Sequence, residues 1–512
     1  MRGTRRNTLR RVTAEPVTLG ETLVARADAD PDRLAYDDGT RGITYGELLE
    51  TAAGQAARLA AMGVRARDRV ALVMSAGIPF AEAFWALQLL GAAACAFNPR
   101  VPPQTLRRRT ERVKPRLVLG DDWLDGAPAA RGAPPDPRLS TDDIAFLQPT
   151  SGTSGEPRAA MLRHRNVLAY LRADRHVGHA ARDDVYVSWV PPWHDLGLVR
   201  FLIGAVDAGA QCHIVQPAVS TIPEWLATIT RTRGTTTGAP DFCWRLATRM
   251  VDPASVDLGS LRFAINGGEP VRRSTVEQFE HQFGLSCALL PGYGLAEATL
   301  GVTTQCPGEP LAVDLQGNVS SGRVRPGLEL RVDGDASLPG EILVRGEAVF
   351  AGYIDAIEET RTSLRDGWLH TGDSGYLDAD GRLFVLGRQR AMIKRGGGVV
   401  APRELEEAAQ DVDGVRLAAA VGVPAASAAT ETVALVVETD DPAVHPADGV
   451  AAAVSEAILA TTGFAPARVL VVPKRTIPRT ENGKIRHNHV RELVLDGVIG
   501  GAAAQGARAR TR

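Results

Sequence analysis

Gln148-Pro-Thr-Ser-Gly-Thr-Ser-Gly-Glu-Pro-Arg158 packs hydroxyls and glycines into one short stretch. A loop of this make-up can wrap phosphate oxygens with side-chain O–H and backbone N–H groups. Gly152 and Gly155 let backbone approach an anion closely. Thr150, Ser151, Thr153 and Ser154 supply short donors that reorient easily. The spacing is not that of GxxxxGK(S/T), and no Lys-Ser or Lys-Thr pair closes it, which disfavours a P-loop NTPase. Alone, a Ser/Thr/Gly run is ordinarily a surface turn or linker. Its meaning depends on what surrounds it.

Outward from this loop, strand and helix patterns alternate. Upstream, residues 69–74, 116–119 and 145–147 read as short apolar strands and 81–90 as a helix. Thr44-Tyr-Gly-Glu47 is a capping box that opens a helix running to Gly63. Downstream, strands at 185–190 and 263–266 and helices at 224–230 and after Val271 continue the alternation. The expected fold is α/β: a layered large domain with an open sheet. Between 321 and 345, short strands separated by Pro-Gly and Asp-Gly turns form a small β-rich unit that closes it. Past Gly387-Arg388 the pattern restarts with a glycine cluster, a helix at 402–409, strands near Ala418 and Thr432, an Ala-rich helix and a basic terminal loop. We therefore expect an N-terminal domain over 12–387, a connection at 388–391, and a small α+β domain over 392–499. The Arg-rich residues 1–11 and the Ala/Gly/Arg residues 500–512 are expected to be disordered ends.

Bulk properties narrow the partners. The 512 residues allow roughly three structural units at about 150 residues each. A formal charge of −2 gives no global field for nucleic acid or an anionic membrane. Nucleic-acid binding would rest on the Arg-rich ends alone. Cys95, Cys212, Cys243, Cys287 and Cys306 show no metal-ligand spacing and read as reduced thiols. No apolar run is long enough to span a bilayer, and the basic opening lacks the hydrophobic region of a signal peptide. A cytoplasmic protein without a membrane span or nucleic-acid partner is expected.

Six further segments follow the loop in order: Pro191-Pro-Trp-His-Asp-Leu-Gly197, Asn266-Gly-Gly-Glu-Pro270, Pro291-Gly-Tyr-Gly-Leu-Ala-Glu297, Trp368-Leu-His-Thr-Gly-Asp373, residues 387–406, and Ile477-Pro-Arg-Thr-Glu-Asn-Gly-Lys484. On these motifs the chain resembles, along nearly its whole length, the adenylate-forming superfamily of acyl-CoA synthetases, fatty acyl-AMP ligases, amino-acid adenylation domains and luciferases. Trp-His-Asp-Leu-Gly-Leu, Gly238-Ala-Pro-Asp-Phe242, Asn-Gly-Gly-Glu-Pro and Tyr-Gly-Leu-Ala-Glu-Ala-Thr-Leu look most like the fatty acyl-AMP ligases.

The resemblance implies ATP and Mg²⁺ as reactants, and chemistry supports each assignment. The loop from Thr150 to Gly155, with Arg158 where lysine is usual, would hold ATP phosphates. Gly267, Gly268, Glu269 and Pro270 would border adenine, and Tyr293, beside Gly294 and Ala296, would stack on it. Glu297 offers the hard oxygen that Mg²⁺ prefers. Asp373 would accept from the ribose hydroxyls while Arg388 donates to the same sugar. Lys484 would stabilise charge developing on the transferring phosphoryl group. His194 would position the acyl carboxylate rather than act as base, since a carboxylic acid is already ionised at neutral pH. Trp189, Trp193, Phe201, Ala239, Phe242 and Gly292 would line the acyl pocket. Gly396, Gly397 and Gly398 would lie against a pantetheine arm. Taken singly, these are ordinary turn, core or surface residues; only their ordered combination carries the reading.

Two departures matter. The hinge between domains, acidic in most relatives, falls on Ala391, and Arg390 stands where lysine is common. Fatty acyl-AMP ligases usually carry an insertion after their Tyr-Gly-Leu-Ala-Glu motif, associated with failure to make acyl-CoA; the interval 301–320 looks too short for it. The expected activity is therefore activation of a hydrophobic carboxylic acid as acyl-AMP, then transfer to the thiol of CoA. The alternative acceptor is the phosphopantetheine of an acyl carrier protein in lipid or polyketide biosynthesis. A catalytically silent nucleotide-binding relative is disfavoured by retention of Glu297, Asp373, Arg388 and Lys484.

Overall fold

The computed structural model describes residues 15–124, 137–150, 158–334, 339–395, 398–424, 431–439, 446–462, 465–479 and 485–500. Their contacts form two compact units. The first holds the chain to Arg331 with Leu343–Thr371 and Leu377–Phe384; the second holds Val332–Ile342, Gly372–Tyr376 and the chain from Val385.

Two sheets organise the first unit. One has five strands in the order Leu117–Gly120, Arg69–Val73, Ala93–Ala96, Ile144–Thr150, Arg158–Arg163. The first four are parallel, and the last pairs antiparallel as a hairpin. The strand expected at 145–147 extends to Thr150 because Arg158–Arg163, which the turn-rich composition conceals, pairs along its whole length. Helix Ile78–Leu90 is apolar all round, hence almost wholly buried. Gly91 ends it at φ +76°, a left-handed position where a Cβ would also stand 2.8 Å from the Cβ of Pro137. The expected capping box is present: Thr44 and Glu47 exchange hydrogen bonds, and the helix runs Tyr45–Ala61.

The second sheet has nine strands. Its parallel centre runs Leu289–Gly294, Phe263–Gly267, Thr236–Ala239, Val185–Ser188, Gln211–Ile214, Leu34–Asp37. Gly301–Thr304 and Gly42–Thr44 flank this centre antiparallel, and Arg323–Val324 pairs outside Gly301–Thr304. From Val185–Ser188 the chain adds a strand on one side, then returns to build Thr236–Ala239 on the other. The order of strands thus reverses there, and in open α/β sheets ligands bind at the carboxyl ends beside such a switch.

The segment read as a β-rich unit does form a sheet, in the order Leu328–Asp333, Gly340–Gly346, Trp368–Leu377, Leu364–Arg365, with Leu383–Arg388 also pairing with Trp368–Leu377.

In the second unit, Val415–Pro424, Glu431–Thr439 and Arg468–Pro473 form a three-stranded sheet. Ala418, Ala420, Val433, Leu435 and Val437 pack with Leu405, Val454 and Ile458. Their neighbours Ala419, Val421, Ala434 and Val436 pack with Ile477, Val490 and Val494. Burial of both faces explains the unbroken apolar runs in these strands. All five cysteines carry free thiols. Among the described residues no helix is long and apolar enough to cross a membrane.

Candidate active site

Four of the sequence motifs lie at or just past carboxyl ends of the nine-stranded sheet. Trp189, Trp193 and His194 follow Val185–Ser188, Phe242 follows Thr236–Ala239, and Gly267–Pro270 and Gly292–Ala296 begin within Phe263–Gly267 and Leu289–Gly294. Register sets them side by side: Ala239 pairs with Asn266, and Gly267 with Gly292. Glycine is required at Gly294, where a Cβ would stand 1.8 Å from the carbonyl oxygen of Leu300. Tyr293 lies opposite Thr303 in the antiparallel edge.

The strand end around Ala239 is held by two carboxylates that sequence reasoning missed or assigned otherwise. Buried Asp241 accepts from Asn266 Nδ2 (3.1 Å), Arg272 N–H (3.1 Å) and Thr275 Oγ1 (2.9 Å). Glu269, expected only to border adenine, accepts from the Phe242 N–H at 2.6 Å. Asp241 stood within the Gly238–Phe242 motif with no role assigned, because its partners lie some thirty residues on.

His194 Nδ1 lies 2.7 Å from Asp195 Oδ1. The same carboxylate oxygen accepts from the Leu196 N–H at 2.8 Å, capping the wide-turned π-helix Leu196–Ile203. Such π segments recur at functional sites. The Trp193 carbonyl accepts from Gln148 Nε2 at 3.0 Å, a tie to the hairpin strand. Trp189 sits in a buried cluster with Trp225 and Trp244, its indole N–H donating to Thr221 Oγ1 at 3.0 Å. Phe201 is buried edge-on to Tyr186, and a Cβ added at Gly238 would touch its ring at 3.4 Å. A small cavity lies here, lined by Gly77, Ser188, Val190, Pro192, Phe201 and Ile214.

At the hairpin, Thr150 pairs with Arg158 and so closes the base of the glycine-rich loop. Ser151, Gly152, Thr153, Ser154 and Gly155 lie outside the described residues. The Arg158 guanidinium stands 5.4 Å from the centre of the Tyr353 ring. Tyr353 O–H donates to Glu297 Oε1 at 2.6 Å. Burial, then the Glu297 charge, pushes the Tyr353 phenol far above its ordinary value, so it remains a donor. No group of three or more metal-ligating His, Cys, Asp or Glu occurs among the described residues. Glu297 offers one hard carboxylate oxygen, of the kind Mg²⁺ takes together with phosphate oxygens and water.

In the second unit, Asp373 and Arg388 are brought together as an ion pair, Oδ1 to Nε 3.1 Å, with Asp373 buried and Arg388 half exposed. Gly372, at φ +70°, donates its N–H to Glu341 at 3.0 Å and turns the chain beside Asp373. Ala391 ends the short turn Gln389–Ala391. Gly398 opens a strand that pairs with Ile393–Arg395; Gly396 and Gly397 lie outside the described residues. So does Lys484. Its flanks are fixed: Arg479 bridges to Ile485, and the Arg486 N–H donates to the Pro478 carbonyl at 3.0 Å. Next in the chain, His487 Nε2 lies 2.6 Å from Glu406 Oε1.

An α/β sheet with these ordered motifs at its switch point, followed in the chain by a small α+β unit, is the fold of the adenylate-forming enzymes. The AMP-binding enzyme family matches over residues 23–354, and the chain belongs to that family, on its acyl-CoA synthetase and acyl-AMP ligase branch. It is 29% identical to a methyl-dioxo-octahydroindenyl-propanoyl:CoA ligase of Rhodococcus jostii, over 81% of this chain and 87% of that one. It is 27% identical to the medium-chain-fatty-acid–[acyl-carrier-protein] ligase JamA of Moorena producens, over 94% and 96% respectively. Among solved structures, one from a study of fatty acyl-adenylate ligases from E. coli and L. pneumophila superposes with a TM-score of 0.83 at 26% identity, covering 96% of this chain and 99% of that one.

Proposed function

We propose that this AMP-forming acid–thiol ligase activates a hydrophobic carboxylic acid with ATP and transfers the acyl group to CoA. The reading of CoA as acceptor is carried by one observation: the 305–322 segment is a short self-closed loop. Gln305 Nε2 donates to the Glu309 carbonyl at 2.7 Å, Val313 bridges to Val319, and Asp314 accepts from the Asn318 N–H at 2.7 Å. A loop this short supports the reading that the interval does not carry the insertion associated with acyl-AMP ligases that do not form acyl-CoA.

In the first step a carboxylate oxygen attacks the α-phosphorus, the α–β anhydride bond breaks, and pyrophosphate leaves. No base is needed, because the acid is ionised at neutral pH. His194, oriented by Asp195, positions the acid. The glycine-rich loop and Arg158 bind phosphates, and Asp373 with Arg388 holds the ribose. Lys484 stabilises charge at the transferring group. Magnesium, when bound with the nucleotide, would offset phosphate charge beside Glu297. In the second step the thiol sulfur attacks the acyl carbonyl, AMP departs with the bridging oxygen, and the thiol proton passes to solvent. Mass spectrometry of products from Mg-ATP and a pool of carboxylic acids, with and without CoA, tests the reading. Acyl-CoA is expected; acyl-AMP that accumulates despite CoA would overturn the assigned acceptor. The second reading, a carrier-protein thiol, is favoured by similarity to JamA over nearly both whole chains.

A further inference from the structure

The strand Arg158–Arg163 lies between two partners. Ala160 pairs with Gln148 on one side and bridges to Tyr353 on the other, so the three residues form one rung across adjacent backbones. The segment carrying Tyr353 is fastened by three backbone bonds: Met161 N–H to Gly352 O at 2.9 Å, Ala351 N–H to Met161 O at 2.9 Å and Ile354 N–H to Ala159 O at 3.0 Å. Residues opposite each other in an antiparallel ladder share a face. Gln148 and Tyr353 are both buried, and each ends the rung with a polar contact. Tyr353 O–H donates to Glu297 and Gln148 Nε2 donates to the Trp193 carbonyl, immediately before His194.

We propose that this rung is a strut through which nucleotide and acid bind interdependently, with Gln148 and Tyr353 as its positioning residues. A shift of Glu297 as Mg-ATP binds would pull on Tyr353, hence on the rung and on the turn that holds His194. A rigid hydrogen-bonded strand transmits such a displacement, whereas a flexible loop would absorb it. The inference rests on the functional reading above, which assigns Glu297 and His194 to the two ligands.

The test is a linkage cycle. The dissociation constant of the acid that gives product in the ligase assay is measured by calorimetry, without and with Mg²⁺ and α,β-methylene-ATP, whose α–β bridge cannot break and which therefore cannot transfer its adenylyl group to the acid. The ratio of the two constants is the coupling factor, about 5–150 in typical coupled sites. Gln148→Met and Tyr353→Phe conserve volume and remove only the end contacts. Each is expected to cut the ratio at least fivefold, and the double variant no further, because both break one strut. If Gln148→Met does not fold, Gln148→Asn, one methylene shorter, breaks the same bond. A wild-type ratio of one, or ratios unchanged in both single variants, would overturn the strut while leaving the ligase reading intact. Failure of the wild type to turn over any acid would remove both.

Discussion

Lys484 carries the heaviest chemical assignment, and its removal is the most direct test of a single residue. Loss of one preorganised donor to a developing anion costs about 3 kcal/mol or more, roughly a hundredfold in rate. Lys484→Ala should therefore lower acid-dependent ATP–pyrophosphate exchange about a hundredfold or more while its circular dichroism spectrum is unchanged; wild-type exchange would end the assignment. Asp241 predicts the opposite pattern. Asp241→Ala leaves Asn266, the Arg272 N–H and Thr275 without their buried acceptor, and should cost about 2–4 kcal/mol of stability, read from denaturant midpoints. The contrast shows what sequence could reveal. Glu297 and Asp373 announce themselves through motifs. Tyr353 does not, and Gln148 opens the glycine-rich stretch without revealing its partner, because the groups they hold lie 56 and 45 residues away and only the folded sheet brings them near.

Between elements, two charge arrangements decide geometry. Asp174, on helix His164–His176, is buried between Arg200 of the π-helix and Arg325, which follows the edge strand Arg323–Val324. Removing the central charge strands two buried guanidinium groups, so Asp174→Asn should destabilise by about 3–5 kcal/mol, measured by chemical unfolding. The second arrangement joins helix Pro402–Gln410 to helix His487–Leu495 through Glu406 and His487. Burial pulls the imidazole pKa down, but the Glu406 charge and its hydrogen bond outweigh that and raise it. A raised folded value means the pair stabilises fully below about pH 6.5, where the unfolded imidazole is also protonated, while Glu406 is ionised. The contribution fades as pH rises through the folded pKa. Melting curves of wild type and His487→Gln should thus differ most near pH 6 and converge at alkaline pH; a gap that widens with pH would refute the assignment. Alternating strand and helix patterns were legible from sequence, as was the capping box. The hairpin's second strand was not, because the residues immediately before it are those that make turns.

At the scale of the molecule, we expect Ala391 to act as a hinge for the residues that follow it in the proposed two-step reaction. Proline fixes φ near −65° and removes freedom where a hinge must absorb backbone change. Ala391→Pro is expected to retain most pyrophosphate exchange and lose at least tenfold in CoA-dependent thioester formation. Equal loss of both, at unchanged thermal stability, would argue against a hinge there.

The small unit's central strands have a further consequence for how they find their alignment. In Val415–Pro424 and Glu431–Thr439 both faces are apolar, so sliding one strand by a residue would exchange alanines and valines for others of similar size without exposing any to water. Greasiness alone cannot index them. Two buried carboxylates can: Glu406 accepts from the Ala420 N–H at 2.9 Å, and Glu438 from the Ile477 N–H at 2.7 Å. Each holds a single backbone position, Glu406 on the strand Val415–Pro424 and Glu438 between the strand Glu431–Thr439 and Ile477, so a slip of either strand would break a charge-assisted bond. These two buried acids would then serve as alignment marks for a sheet whose hydrophobic pattern is nearly blind to its own offset.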